Sequence, residues 1–383
     1  MPTPAPPERP LSRRLSGVDL ARAVAIIGMV MVHFREPVQD TTVGLAEVLY
    51  SLPRGRASIL FVVLAAVAIT LAATAGGRRR RELGLSLLGR SAVLLPLGLA
   101  LQMQHDRVNV ILHFYAVYLA LAWLALHLPP RTLLVSAAGW MVLGPVTYLL
   151  TEIVMPQWFG AAARLGDPVG LVLRDVLLTG AYPVATWGGP LLFGVWLGRQ
   201  DLWSATVRRR LVLAGSGVAI LAWALSRVLE RASGASTQGS AWWRLVLDDS
   251  HSEMPLWLVG STASAVAVLG GCLWLAAAFP RAIQPLSAFG RLALTAYVLQ
   301  LLLVALVPQV VIHPDVRVAA VSVLVFTVLV TLGATLWLRW FDYGPMEAVV
   351  RAPYRWLGGR ARTTTSAAAS PTERRDQGAR NRH

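Results

Sequence analysis

Three ionisable residues near the start of the chain are spaced to share one face of a helix. Asp19, Arg22 and His33 fall with Ile26 and Met29 at offsets of 0, 3, 7, 10 and 14, which is one stripe at about 3.6 residues per turn. Asp19 and Arg22 suit a local ion pair, and Ser16 and Asp19 also suit capping of the helix start. The alternative is a site where Arg22 holds a phosphate. His33, about 21 Å from Asp19 along the axis, suits a general base or a hydrated histidine at the helix end.

Polar residues recur at helical spacing in two later apolar segments. Asn109 and His113, four residues apart, are predicted to share a face, as are Ser287, Arg291 and Thr295. Two interpretations of Arg291 stay open: binding of a phosphate, and extension of its side chain to a membrane interface.

The composition indicates a polytopic membrane protein. Hydrophobic residues make up 55% of the 383 and charged residues only 14%, against about 25% charged residues in a soluble domain. Ionisable groups inside membrane spans are costly and are candidates for function. We predict an all-α fold with about ten transmembrane helices. They lie near residues 18–35, 57–75, 84–103, 109–128, 132–151, 181–198, 211–229, 255–279, 285–307 and 317–340.

The positive charge predicts orientation in a membrane. The net charge of +15 comes from arginine clusters that, with ten spans, all fall on the side of the two termini, which we therefore place in the cytoplasm. Nucleic-acid binding is not expected. Residues 1–15 are predicted to be a disordered lead without a cleavable signal, 16–357 the helical bundle and 358–383 a disordered arginine-rich tail.

The sequence predicts neither a metal site nor an intramolecular disulfide. The one cysteine, Cys272, excludes an intramolecular disulfide and a four-cysteine metal site. The segment DDSHSE around His251 lacks the spacing of a zinc site, so no metal is predicted. Two outer loops, 152–180 and 230–254, are long enough to cap a site. The tryptophans in them suit either anchoring at the membrane interface or stacking on a sugar.

The order of several segments resembles a known family. RLSGVDLARAVAIIGMVMVHF is similar to the opening of the transmembrane acyltransferases related to heparan-alpha-glucosaminide N-acetyltransferase and of their bacterial YeiB-like relatives. GRASILFVVLAAVAITL, VNVILHFYAVYLA, LLTGAYPVATWGGPLLFGVWLGR and PLSAFGRLALTAYVLQ resemble later spans in the same order, and FDYGPMEAVVR resembles the YeiB-like ending. The family's histidine in the loop after the first span has no counterpart here, and His113 and Phe114 stand where the family has a Gln-Arg pair.

The resemblance implies transfer of an acetyl or other acyl group. The donor is cytosolic acetyl-CoA or another acyl-CoA, no metal takes part, and the acceptor is a sugar or glycan beyond a bacterial cell membrane that the protein crosses many times. His33 is then the catalytic base, and Arg22 and Arg291 bind the coenzyme phosphates. The residues expected to bind substrate or support the site are Asp19, Arg56, Asn109, His113 and His251.

Two other classes of function stay open. The same buried polar groups suit a transporter or flippase with a polar pathway through the membrane. A structural or signalling scaffold is the third class. Expected partners are the lipid bilayer, the acyl-CoA and the glycan, and a homo-oligomer is compatible with the sequence.

Overall fold

The computed structural model describes residues 15–36, 44–74, 80–233 and 241–354. These ranges are helical and contain no β-strand, and one isolated parallel bridge joins Arg35 to His313. The predicted all-α class is therefore confirmed. The predicted disordered lead and tail fall almost entirely outside the described residues, so they stay predictions.

Fifteen α-helices follow one another along the described ranges. They are α1 (Ser16–His33), α2 (Leu45–Ser51), α3 (Arg56–Thr74), α4 (Arg80–Gln102), α5 (Leu112–Ala125), α6 (Pro130–Val154), α7 (Val169–Arg174), α8 (Val184–Leu197), α9 (Ala205–Ser233), α10 (Pro255–Ala278), α11 (Gln284–Arg291), α12 (Ala293–Leu306), α13 (Pro308–Val311), α14 (Val316–Trp337) and α15 (345–354). A π-helical turn, Asp175–Thr179, continues α7, and short 3-10 turns occupy Pro156–Trp158 and Ala241–Val246.

Every predicted span contains a helix, but fewer than ten helical segments of the described ranges are long and apolar enough to cross a membrane. Seven helical segments in the described ranges are long and apolar enough to span a bilayer, and counting each of two bent pairs as one span gives up to nine. The fourth predicted span shortens to the 14 residues of α5, about 21 Å of helix against a hydrocarbon slab of about 30 Å. The count of ten and the cytoplasmic placement of the termini stay predictions.

Two predicted segments are broken helices. The π-helical turn after α7 ends at the extended Gly180, and the chain turns by 60° before α8 begins after Pro183. The predicted span 285–307 is the pair α11 and α12, which meet at Leu292 with a 74° bend. The predicted outer loop 152–180 is thus partly helical, and it contains the whole of α7.

Helix α1 lies in the middle of the bundle, packed by α3, α10, α11, α12 and α14. Glycines allow the closest approaches: Gly290 of α11 lies directly against the backbone of α1 at Asp19, and Gly17 of α1 lies against Leu273 of α10. At the other end of α1, Gly28 packs on Pro53 and Ala57 around the start of α3. These contacts place the starts of α3 and α10 beside His33 and the end of α11 near Arg22. We refer to the two ends of the bundle as the His33 end and the Arg22 end.

Candidate functional site

The stripe predicted on α1 faces the interior of the bundle. Asp19, Ile26 and Met29 are at most 4% exposed. The Arg22 guanidinium donates a hydrogen bond from Nη1 to Oδ1 of Asp19 over 2.7 Å, and about a quarter of its side chain is exposed. His33 ends the helix at the opposite side of the bundle.

The predicted capping of α1 by Ser16 and Asp19 is wrong. Leu15 is the N-cap residue, and no side chain hydrogen-bonds to the cap. Asp19 is directed at Arg22, one turn further along the helix, instead of at the free backbone N–H groups of the first turn. The ion pair is the interaction that the structure supports.

Buried polar atoms without partners surround His33. Its Nδ1, both amide atoms of Gln300 on α12 and Nε2 of His105 in the loop after α4 make no hydrogen bond within the described residues. The His33 imidazole lies beside the Gln300 amide and within electrostatic range of His105 and His251. Burial lowers the pKa of His105. Such atoms normally have a hydrogen-bond partner, so this cluster is a site for a polar ligand or water.

The segment between α9 and α10 reaches the same end of the bundle. His251 packs against the rings of Trp187 and Trp257 and next to Gly55, the residue before α3. His251 therefore lies at the same end of the bundle as His33. Trp242 and Trp243 of this segment are about half exposed, which suits either anchoring or stacking.

Arg56 begins α3 and ties it to the same segment. Its Nη2 lies 3.4 Å from Oδ2 of the buried Asp248. Burial raises the pKa of Asp248, and the neighbouring Arg56 guanidinium counteracts that rise. Arg56 therefore contacts the same segment that contains His251, and its supporting role in a site stays a prediction.

Asn109 and His113 do not share a helical face, so that prediction is wrong. Helix α5 begins only at Leu112, and Asn109 is exposed in the preceding loop. The loop is non-helical because the Gln102 side chain accepts a hydrogen bond from the Val110 N–H and donates to backbone carbonyls within it.

His113 is instead fully buried against a carboxylate. Its Nε2 lies 3.3 Å from Oδ2 of Asp175, which begins the π-helical turn. Gly98 of α4 lies against the His113 backbone and leaves no space for a side chain. His113 thus links α5 to the broken α7–α8 pair, away from the contacts of His33.

Arg291 lies at the Arg22 end, but the face predicted for it is not formed. Ser287 and Arg291 belong to α11 and Thr295 to α12, with the bend between them. The Arg291 guanidinium donates from Nη2 to the Asp342 carbonyl over 3.3 Å, while its Nε is buried without a partner among the described residues. Its neighbour Gly290 packs against α1 at Asp19, which brings Arg291 to the same end as Arg22.

A groove of about 640 Å³ runs between α12 and α14. Its lining is almost entirely apolar and extends from Trp337 and Leu292 to Phe34, the residue after His33. In the four described ranges, no three His, Cys, Asp or Glu side chains are arranged to hold a metal ion.

Three members of the candidate site are not predicted from the sequence: Gln300, His105 and Glu253. Glu253 is buried and accepts hydrogen bonds from Thr186 and Trp187. A lone glutamine in the apolar run of α12 was the signal available for Gln300, because a buried amide needs partners. His105 and Glu253 lie in segments without periodicity, and the sequence carries no comparable signal for them.

Two family models match the chain. The model described as "Heparan-alpha-glucosaminide N-acetyltransferase, catalytic" matches residues 14–228. The model described as "Protein of unknown function (DUF418)" matches residues 196–356. No curated protein gives a significant match to the chain. The first match includes α1 and the residues of the Arg22–His33 stripe, and the second includes His251, Arg291 and Gln300.

Proposed function

The chain belongs to the heparan-alpha-glucosaminide N-acetyltransferase catalytic family, and from this membership we propose the following reaction. The protein transfers an acyl group, acetyl in the simplest case, from cytosolic acyl-CoA to a sugar or glycan on the far side of the cell membrane. The observation that carries the proposal is that α1 holds Arg22 and His33 at opposite ends of one helix in the interior of the bundle.

The two ends of α1 suit two substrates with different chemistry. Arg22 and Arg291 lie at one end, where guanidinium groups are effective ligands for the coenzyme phosphates. His33 lies about 16 Å further along the axis, and its Nδ1 is buried without a hydrogen-bond partner among the described residues. The coenzyme is thus held from the cytoplasm, while the acceptor is met at the other face.

Polar side chains connect the two ends through the interior. The Tyr115 hydroxyl is buried, makes no hydrogen bond within the described ranges, and lies within electrostatic range of Arg22 and Tyr297. Gln300 follows Tyr297 by one turn of α12 and lies beside His33. The amides of a pantetheine arm require such hydrogen-bonding groups, so this line of residues is the proposed route of the donor.

The proposed chemical step is direct transfer. The acceptor hydroxyl or amine gives its proton to His33 as its oxygen or nitrogen bonds to the thioester carbonyl carbon. The carbon–sulfur bond then breaks, and the thiolate takes the proton from His33 to leave as free coenzyme A. The products are the acylated acceptor and the thiol. The neutral imidazole accepts the first proton, and the imidazolium that results donates it to the thiolate.

Binding of coenzyme A and acetyl-CoA to the purified protein in lipid nanodiscs tests the donor assignment. We expect saturable binding that Arg22→Ala and Arg291→Ala each weaken. Arg317→Ala is the matched control because Arg317 is exposed at the start of α14, at the His33 end. Absence of binding at millimolar ligand, or equal loss in the control, would contradict the proposal.

Turnover in the same nanodiscs tests His33. His33→Ala is expected to abolish acyl transfer while coenzyme binding persists. His127→Ala is the control, since His127 contacts Arg80 at the start of α4, remote from the His33 cluster. Full activity of the His33 variant would remove it from the mechanism.

A transporter or flippase is the second candidate, favoured by the two broken helix pairs. Discontinuous helices often frame a transport site, and the buried His113–Asp175 pair beside one break is the kind of group that couples to protons. Flux of a labelled sugar or lipid across proteoliposomes, without acyl-CoA, would favour this function.

A further inference from the structure

The segment before α10 forms a histidine–carboxylate pair on a left-handed backbone. His251 has φ 60° and Glu253 φ 62°, and neither is glycine. Left-handed backbone is uncommon for such residues, and it persists where surrounding contacts enforce it, often at ligand sites. Two such residues within three positions indicate that the geometry of these side chains is fixed by the fold.

Glu253 is anchored through one oxygen and free at the other. Its Oε2 accepts hydrogen bonds from Oγ1 of Thr186 over 2.6 Å and from Nε1 of Trp187 over 2.7 Å. Its Oε1 is buried without a hydrogen bond in the described part of the chain and lies 3.8 Å from Nδ1 of His251. The free oxygen therefore faces the imidazole, at a distance that can shorten to a hydrogen bond when a ligand binds.

The imidazole of His251 is held in one orientation while it stays accessible. Its ring centroid lies 5.7 Å from those of Tyr182 and Trp257 and 6.3 Å from that of Trp187. About a third of the side chain is exposed. Because Nδ1 faces the carboxylate, the proton belongs on Nδ1, and Nε2 is left as a hydrogen-bond acceptor.

We infer that the His251–Glu253 pair is a binding site for the acceptor, in which Nε2 of His251 accepts a hydrogen bond from a hydroxyl group other than the one that is acylated. The inference rests on the proposed function. His33 and His251 lie within electrostatic range at one end of the bundle, and each offers an imidazole to a ligand. The acceptor class is therefore a polyhydroxylated molecule, with one hydroxyl or amine at His33 and another hydroxyl at His251.

The proton position on His251 tests the pair without any acyl-transfer assay. Nitrogen-15 spectra of the histidine-labelled protein in nanodiscs are tractable because the chain has seven histidines. We expect the Nδ1-protonated form of His251, assigned by its loss in His251→Asn. A wild-type signal with the proton on Nε2 would overturn the inference, and this test requires no variant of Glu253.

Glu253→Gln is expected to reverse the proton position. The Thr186 hydroxyl and the Trp187 N–H both donate to the Oε2 position. The glutamine must place its carbonyl oxygen there and turn its NH₂ group toward Nδ1 of His251, which moves the imidazole proton to Nε2. Glu152→Gln, which alters a carboxylate paired with Arg244, is the matched control. An unchanged His251 signal in the Glu253 variant would overturn the inference.

Kinetics separate this site from the donor site. With acetyl-CoA as donor, His251→Ala is expected to raise the KM for a sugar acceptor about tenfold, the effect of one lost hydrogen bond, and to leave coenzyme binding unchanged. The same variant should not alter KM for an acceptor with a single hydroxyl. An unchanged sugar KM with intact coenzyme binding would overturn this inference alone. A wild type that binds no coenzyme A would overturn the proposed function and the acceptor assignment with it.

Discussion

The Asp19–Arg22 pair allows the structural and ligand-binding roles of Arg22 to be separated. Asp19 is only 3% exposed in its side chain, whereas Arg22 is 24% exposed. Arg22→Ala removes the guanidinium that lies 2.7 Å from this buried carboxylate. Breaking a buried pair costs about 3–5 kcal/mol, and the partial exposure of Arg22 reduces our expectation to about 2–3 kcal/mol of unfolding free energy.

A charge-neutral replacement of the Asp19–Arg22 pair should restore the stability of the protein but not its binding of coenzyme A. In Asp19→Asn/Arg22→Gln, an amide–amide hydrogen bond can replace the ion pair, so we expect stability within about 1 kcal/mol of the wild type. Coenzyme A binding should stay at least tenfold weaker than in the wild type, since no guanidinium remains for a phosphate, and tenfold corresponds to about 1.4 kcal/mol.

The assays are an SDS unfolding titration followed by tryptophan fluorescence and coenzyme A binding in nanodiscs. Arg22→Ala, Asp19→Asn and the double variant form the cycle, with the wild type as reference. Wild-type coenzyme affinity in the stable double variant would refute the reasoning and make Arg22 a folding residue. A double variant as unstable as Arg22→Ala would show that the loss of stability does not come from breaking the Asp19–Arg22 ion pair.

Three further outcomes follow from local geometry. Gly290→Ala places a Cβ against the backbone of α1 and should destabilise the protein by about 1–3 kcal/mol, whereas Gly333→Ala, with open space around it, should be neutral or stabilising in the same SDS titration. Burial lowers the pKa of His105 in the folded protein, below its value of about 6.5 in the unfolded chain. The neutral imidazole therefore contributes stability above a pH of about 6.5, and this contribution is lost as the pH falls through the pKa of the folded state. The melting temperature should therefore drop more between pH 7.5 and 5.5 in the wild type than in His105→Asn, and equal drops would contradict this sign. Trp187→Phe removes a donor to the Glu253 carboxylate and should cost about 1.5–3 kcal/mol, and a smaller loss in the unfolding titration would indicate that water replaces the indole N–H.

Periodicity predicted the parts of the fold that depend on local spacing. The stripe from Asp19 to His33 was placed correctly because residues at these offsets align on any straight helix. The segment around Asn109 was placed on a helix because its composition is apolar, yet the side chain of Gln102 holds the loop through three hydrogen bonds. The break at Leu292 carries no proline, so it was not anticipated.

The members of the candidate site come from distant parts of the chain, and this explains which of them were found. His33 and Arg22 lie on one helix, so their relation could be derived from spacing alone. Gln300 meets His33 only because α12 packs beside α1. Glu253 meets His251 through a left-handed backbone that the contacts of the folded protein impose. A single sequence contains no pattern that shows which distant segments pack together in the folded protein.

Buried polar atoms at both ends of the bundle lack a hydrogen-bond partner, and this bears on function. In the described ranges, buried nitrogen or oxygen atoms without a hydrogen bond belong at the His33 end to His33, Gln300, His105, Glu253 and Trp257. Each such atom disfavours the folded state by about 1–3 kcal/mol unless a ligand or water satisfies it. At the Arg22 end, the Asp19 carboxylate has a guanidinium partner, while Nε of Arg291 is buried without a partner in the same ranges. A polar acceptor would complete the hydrogen bonding at the His33 end, and a coenzyme phosphate would complete that of Arg291.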